Sequence, residues 1–328
     1  IPTVLAPMIE IEPQGPKRPP PGPLVRRYTA TIAAHVEQFN VAMPRLHGEM
    51  HRASAGGRKI EVAVRSYDDL HVTRLDIGFP ITGTVDNGPD VVTLAMILKE
   101  PGGSRWHGAD LATGMVFLYP PGALHQARDA AGLEIGIASI SRDSLAETIE
   151  TLGRQASPLS QGVLRPDMAR EVTRAFSAVG FTKAATGLKA AMASVLSSPE
   201  TTVRPVSARR LSSAAITQRA IDYVHDTGQW SPSNLALCRA TGVSERRLQL
   251  AFADIYGLPP SRFFRQRALS LARGQLVRAG GSMRAPVTTI AGRLGFEHLS
   301  RFAREYGRLY GETPSETLAR ARRSPRMR

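Results

Sequence analysis

Gly242-Val243-Ser244 running to Tyr256-Gly257-Leu258-Pro259-Pro260 is echoed by Gly295-Phe296-Glu297 running to Tyr310-Gly311-Glu312-Thr313-Pro314. Tyr-Gly-x-x-Pro recurs at 256–260 and 310–314, and each copy follows a short helical segment, a Gly turn and a longer amphipathic helix. In the first copy Leu235 to Ala240 reads as the short helix, Gly242 as the flexible turn and Ser244 as the N-cap of the next helix. Leu248, Ala251, Phe252 and Ile255 then share one face at helical spacing, with Arg246, Gln249, Leu250 and Ala253 on the other. In the second copy Ile290 to Leu294 is the short helix, Gly295 the turn, and Phe302, Tyr306 and Leu309 the inward stripe. Ser300, Ala303, Arg304 and Gly307 face outward, and their small size leaves Arg304 as the one long donor. The spacing predicts two helix-turn-helix units in tandem.

An outward face of Arg, Gln and small residues suits the DNA major groove, where Arg reads a guanine edge and Gln an adenine edge. A lone Arg on an exposed helix is usually only solvated, so the charge distribution matters. The chain carries a net +14. Residues 201–328 hold 22 Arg and no Lys against 8 acidic residues, whereas residues 1–200 are balanced. The whole excess therefore sits on the tandem helices, as expected of a nucleic-acid-binding module. No basic helix with a broad apolar face stands out, which argues against a membrane surface.

Ser231 to Leu318 resembles the DNA-binding domain of the AraC/XylS family of bacterial transcription regulators. The resemblance rests on Leu235, Cys238, Ala240, Gly242-Val243-Ser244-x-Arg246-x-Leu248, Phe252, Gly257 and Pro260, then on Ile290-Ala291, Gly295-Phe296, Ser300, Phe302, Tyr306, Gly311 and Pro314-Ser315. It implies seven helices, with Ser261 to Leu276 joining the two units and holding the reading helices about one DNA turn apart. The base-reading positions it implies are Arg246, Gln249 and Leu250, with Arg247 beside them, and Leu299, Ser300, Ala303 and Arg304. Helical facing gives nearly the same set but puts Leu299 at the core edge. Two departures stand out: the Gly-containing loop from Ala279 to Pro286 is longer than the family pattern, and no Arg follows Pro314-Ser315. The five Arg of the 319–328 tail either replace that phosphate contact or form a solvated end. Promoter DNA and RNA polymerase are the partners implied, in a cytoplasmic homodimer that most often activates.

The N-terminal half reads differently. A first residue of Ile points to a chain that continues upstream, and the Pro-rich run Pro13 to Pro23 makes 1–27 a leader without regular structure. Residues 28–141 form a second domain, beginning with a helical stretch within Tyr28 to Met50. Strands are expected at Glu61 to Arg65, Leu70 to Phe79, Val91 to Lys99, Met115 to Tyr119 and Leu133 to Ile140. Gly114-x5-Pro120-Pro121-Gly122-x2-His125 resembles the second motif of cupin barrels, so the chain as a whole is read as α+β: a cupin-like β-barrel followed by an all-α domain.

Many cupins are metal enzymes, but that chemistry needs three or four ligands and usually a His-x-His pair. None occurs here, and the single Cys238 supplies no disulfide or Cys-based metal site. No metal, cofactor or catalytic residue is therefore expected; the barrel reads as a sensor, with Trp106, His107, Tyr119 and His125 lining a pocket for a small-molecule effector. Residues 142–196 read as three amphipathic helices that either form a dimer contact or pack back on the barrel. The Ser-, Thr- and Pro-rich 197–213 is the linker to the DNA-binding domain at 214–318. No apolar run is long enough to cross a membrane.

Overall fold

Val91–Lys99 shows how the N-terminal half is layered. Val92, Leu94 and Met96 join one buried cluster while Ala95 and Ile97 join another. A strand covered on both faces reads as a nearly continuous apolar run, as this one does. The computed structural model describes residues 27–33, 46–67, 69–155, 159–178, 184–197, 204–205, 207–282 and 286–323. The Pro-rich leader before Arg27 and the last five residues lie outside them.

Along the chain the strands are β1 (Arg27–Ala33), β2 (Leu46–Arg52), β3 (Ile60–Ser66), β4 (Leu70–Asp76), β5 (Ile81–Asn87), β6 (Val91–Lys99), β7 (Arg105–Trp106), β8 (Ala109–Asp110), β9 (Val116–Tyr119), β10 (Leu124–Asp129), β11 (Glu134–Ser141), β12 (Gly162–Val163) and β13 (Arg204–Pro205). Two antiparallel sheets result, ordered β1-β3-β4-β11-β6-β9-β12-β13 and β2-β5-β10-β7-β8. Met50, Trp106 and Ala127 of the second sheet share a core with Val62, Leu75, Phe117, Tyr119 and Ile137 of the first. The sheets thus face each other, and no hydrogen-bonded ladder among the described residues closes them into the expected barrel. The chain crosses between sheets at Gly78-Phe79-Pro80. A Cβ at Gly78 would stand 1.9 Å from the Lys59 carbonyl oxygen, and Pro80 has no N–H to continue a ladder.

Of the stretch Tyr28 to Met50, expected to begin as helix, residues 28–33 and 46–50 are strand, and residues 34–45 lie outside the described residues. β1 pairs with β3 along its full length, Arg27 opposite Ser66 and Ala33 opposite Ile60. Its Thr29, Thr31 and Ile32 are β-branched, and the exposed edge of β3 gives them a pairing partner that outweighs any local helical spacing.

Outside the eight-stranded sheet lie α1 (Arg142–Thr151), α2 (Pro166–Ala178) and α3 (Ala184–Leu196). Leu145, Ile149, Val172, Phe176, Leu188 and Met192 pack against Leu70, Val92, Leu94 and Leu118. Their apolar stripes pack back on the sheet. The expected linker is partly ordered: β13 pairs with β12, and α4 (Ala208–Thr227) already begins at 208.

The C-terminal domain continues with α5 (Asn234–Thr241), α6 (Glu245–Tyr256), α7 (Pro260–Ser282), α8 (Val287–Arg293), α9 (Leu299–Tyr310) and α10 (Pro314–Arg323). α7 runs past Leu276 through Gly280 and Gly281, which were expected in a loop. It belongs to two cores. Phe263 and Phe264 join Ile221, Leu237, Leu248, Phe252 and Tyr256, while Ala268, Leu269, Ala272 and Leu276 join Ile290, Phe296, Phe302 and Tyr306. The second core is pinned by Arg273, fully buried, whose guanidinium donates to Tyr306 Oη at 3.1 Å, Glu312 Oε1 at 2.5 Å and Thr317 Oγ1 at 3.3 Å.

Candidate nucleic-acid interface and ligand cavity

The first helix pair is built from caps and a left-handed turn. Ser233 Oγ accepts from Ala236 N and Ser244 Oγ from Arg247 N. Gly242 ends α5 at φ 71°, where a side chain is disfavoured. With Leu248, Ala251, Phe252 and Ile255 fully buried, the opposite face of α6 is fixed. Arg246, Gln249 and Leu250 are exposed, and Arg246 has no hydrogen-bond or ion-pair partner among the described residues. Gln249 Nε2 donates to Glu245 Oε1 at 3.3 Å, and Arg247 reaches away to Ser212 Oγ at 3.0 Å. Arg247 therefore joins α6 to α4, unlike its neighbours.

In the second pair α9 buries Phe302, Tyr306 and Leu309. Leu299, Ser300 and Arg304 are exposed and Ala303 half-buried. Arg304 is without a partner among the described residues, whereas Arg301 is paired with Glu305 at 2.8 Å. Leu299, placed at the core edge by its spacing, is 43 % exposed. Among the described residues α6 thus presents the unpaired Arg246 and α9 the unpaired Arg304 and Arg308, and each helix bares one Leu, suited to a thymine methyl.

Between the sheets is a cavity of about 70 Å³, measured as space open to the centre of a water molecule. Met50, Ile97, Trp106, Phe117, Tyr119 and Ile137 give it apolar walls, and His125 and Asp129 its polar side. Trp106, Tyr119 and His125 line it. His107 does not: it follows Trp106 in β7, turns to φ 45°, and sets Nε2 2.9 Å from Gln161 Nε2. Asn87 and Thr93 also line the cavity, but Asn87 Nδ2 donates to the carbonyls of Val91, Tyr119 and Pro120, and Thr93 Oγ1 donates to Asn87 Oδ1. Asp129 was missed; alternation along β10 would have found it, since His125, Ala127 and Asp129 share one face. Burial, then the charge of Glu100, pushes the Asp129 carboxyl up to about 7. Burial likewise depresses His125 to about 3, so it is neutral near pH 7.

The other face of β10 meets the helical domain. Gln126 Oε1 accepts from Thr217 Oγ1 at 3.2 Å, and Arg128 lies against Gly257 so closely that a Cβ there would stand 2.1 Å from Nη1. The strongest contact is on β2, where Arg267, 1 % exposed, grips Glu49 with Nε to Oε1 at 2.7 Å and Nη2 to Oε2 at 2.6 Å. His225 Nε2 stands 2.8 Å from the same carboxylate. Burial would raise Glu49, but the Arg267 hydrogen bonds, the nearby His51 and His225 outweigh it and hold the group at about 2.

Residues 237–320 match a family model described as "Helix-turn-helix domain". The probable thc operon regulatory protein of Rhodococcus erythropolis is 38% identical over 103 residues, and XylDLEGF operon transcriptional activator 3 of Pseudomonas putida 33% over 103. The chain belongs to the AraC/XylS family of transcription regulators. The match spans 31% of this chain and 31% of each of those two relatives. A probable AraC family regulator from Rhodopseudomonas palustris, of known structure, is 32% identical, covering 33% of this chain and 97% of that one with a TM-score of 0.30. The AraC-like transcriptional activator CuxR is 14% identical, covering 82% and 99%, with a TM-score of 0.39.

Within this AraC/XylS chain no group of three or more His, Cys, Asp or Glu among the described residues is arranged to hold a metal. Among the same residues no helix is long and apolar enough to cross a membrane.

Proposed function

We propose that the protein is a sequence-specific transcription activator that reads promoter DNA with α6 and α9 and is controlled by a small molecule held between its two sheets. The observation that carries the reading is the repeated outward face: Arg246, Gln249 and Leu250 on α6, and Leu299, Ser300, Ala303 and Arg304 on α9, each set on a buried stripe. Arg246 and Arg304 supply guanine contacts, Gln249 an adenine contact and the two Leu thymine-methyl contacts. The N-terminus of α5 and the surrounding Arg supply phosphate contacts and a steep salt dependence. Arg247 serves as a brace for α6, given its bond to Ser212. The cavity is apolar with a few polar atoms, the usual composition of a small-molecule site. Self-association into a homodimer and contact with RNA polymerase complete the proposal. A metal-dependent cupin enzyme is disfavoured, because His125 lacks the ligand partners such chemistry requires.

Selection of bound sequences from a random DNA pool by the purified protein tests the reading. Two short conserved blocks about one helical turn apart are expected. Enrichment of no sequence by either the full chain or its C-terminal domain, with both folded, refutes it.

A further inference from the structure

Each polar atom in the cavity wall can be assigned as used or unused. Those of Asn87 and Thr93 are spent on each other and on backbone carbonyls. Arg105 borders the cavity, but β7 pairs with β10 so that Arg105 stands opposite Arg128 and Trp106 opposite Ala127. Arg105 therefore points to the helical domain: its Nε donates to Asp110 Oδ1 at 2.8 Å and its Nη1 to the Ala253 carbonyl at 3.4 Å. No cationic side chain among those lining the cavity is left to face it. What remains is Trp106 Nε1 and His125 Nδ1, buried without partners, the Tyr119 hydroxyl and the Asp129 carboxyl. Asp129 is 8 % exposed, and no hydrogen bond or ion pair ties it to any described residue.

Resting on the reading of this cavity as the effector site, we propose that its ligand is a small aromatic or aliphatic amine, bound as the cation with Asp129 as its counter-ion, and that carboxylates are rejected. A protonated amine brings the charge that Asp129 lacks, while its hydrocarbon part lies on Trp106, Phe117 and Ile137. A carboxylate of equal size would be buried beside Asp129 with no cation to offset its desolvation. A neutral alcohol falls between, accepting from Trp106 Nε1 and donating to Asp129. The space suits about one ring: roughly 10 to 15 Å³ on this measure holds one water, so the cavity has room for about five or six heavy atoms.

The test is calorimetric titration of the full chain at pH 7 with isobutylamine, isobutanol and isobutyrate, with Trp106 fluorescence followed in a Trp230→Phe background to locate binding. Isobutylamine is expected to bind at least ten-fold more tightly than isobutyrate and to perturb Trp106. Asp129→Asn should remove most of that preference while changing isobutanol affinity less than three-fold. The comparison of three probes on the unsubstituted protein stands even if that variant does not fold. Isobutyrate binding as tightly as isobutylamine, with Trp106 perturbed, overturns the amine assignment and leaves the cavity reading intact. If no probe binds, or binding leaves Trp106 unperturbed, the effector-site reading fails and the amine assignment with it.

Discussion

Glu49→Gln removes the charge that neutralises a guanidinium buried between the two domains. Glu49 is held at about 2 against an ordinary 4.5; each pKa unit is worth about 1.36 kcal/mol, so the ionised carboxylate contributes on the order of 3 kcal/mol. That agrees with the ~3 to 5 kcal/mol typical of breaking one side of a buried pair. The folded value is depressed, so this stability is complete above about pH 4.5 and is lost as pH falls through about 2. Urea denaturation at pH 7 should show Glu49→Gln less stable by about 3 kcal/mol. Its deficit should shrink as the pH is lowered from 4.5 towards 2. Because Glu49 and Arg267 lie in different domains, a double-mutant cycle with Arg267→Met isolates the contact. A Glu49→Gln deficit below about 0.5 kcal/mol at pH 7, or an equally small cycle energy, refutes the assignment of this pair as the main tie between the domains.

Arg304→Ala should weaken the selected DNA site by about 1 to 3 kcal/mol in a binding titration while leaving random DNA nearly unaffected; equal losses on both would reduce Arg304 to a phosphate contact. A fragment spanning residues 207–328 contains both helical cores and should retain sequence preference in the same assay. Its failure, if folded, would show that the N-terminal half takes part in reading. Ser244→Ala deletes the cap on Arg247 N and should lower the melting stability of that fragment by about 1 kcal/mol. An unchanged melting point would mean that water caps α6 as well as serine does.

How far the sequence could be read differs between the two halves, for a physical reason. In the helical domain the structure follows local rules: Ser caps, Gly at positive φ, and apolar residues at three and four spacing, so α5, α6, α8 and α9 lie within a few residues of where the pattern puts them. α4 starts inside the expected linker and α10 runs into the expected tail, and α7 outran its expectation because Gly280 and Gly281 read as breakers. In the sheets the information is non-local. β6 and β11 are rich enough in β-branched residues to be legible alone. β5 (Ile-Thr-Gly-Thr-Val-Asp-Asn) and β10 (Leu-His-Gln-Ala-Arg-Asp) are polar strands that exist because of what flanks them. Missing β10 meant missing Asp129. The same blindness placed His107 beside Trp106, since nothing local reveals that β7 is two residues long and that the backbone turns at φ 45° after it.

β10 also constrains how such a protein can change over evolutionary time. His125, Ala127 and Asp129 of this strand meet the cavity while Gln126 and Arg128 meet the helical domain, so the strand answers to two selective demands at alternate codons. An insertion or deletion of one residue would exchange the two faces, turning Arg128 inward and Asp129 towards Gly257. Drift by length change is therefore closed to β10. Substitutions at 125, 127 and 129 are free to retune what is sensed while those at 126 and 128 preserve how the message is passed on. New specificities in this lineage should arise by point substitution along one six-residue strand.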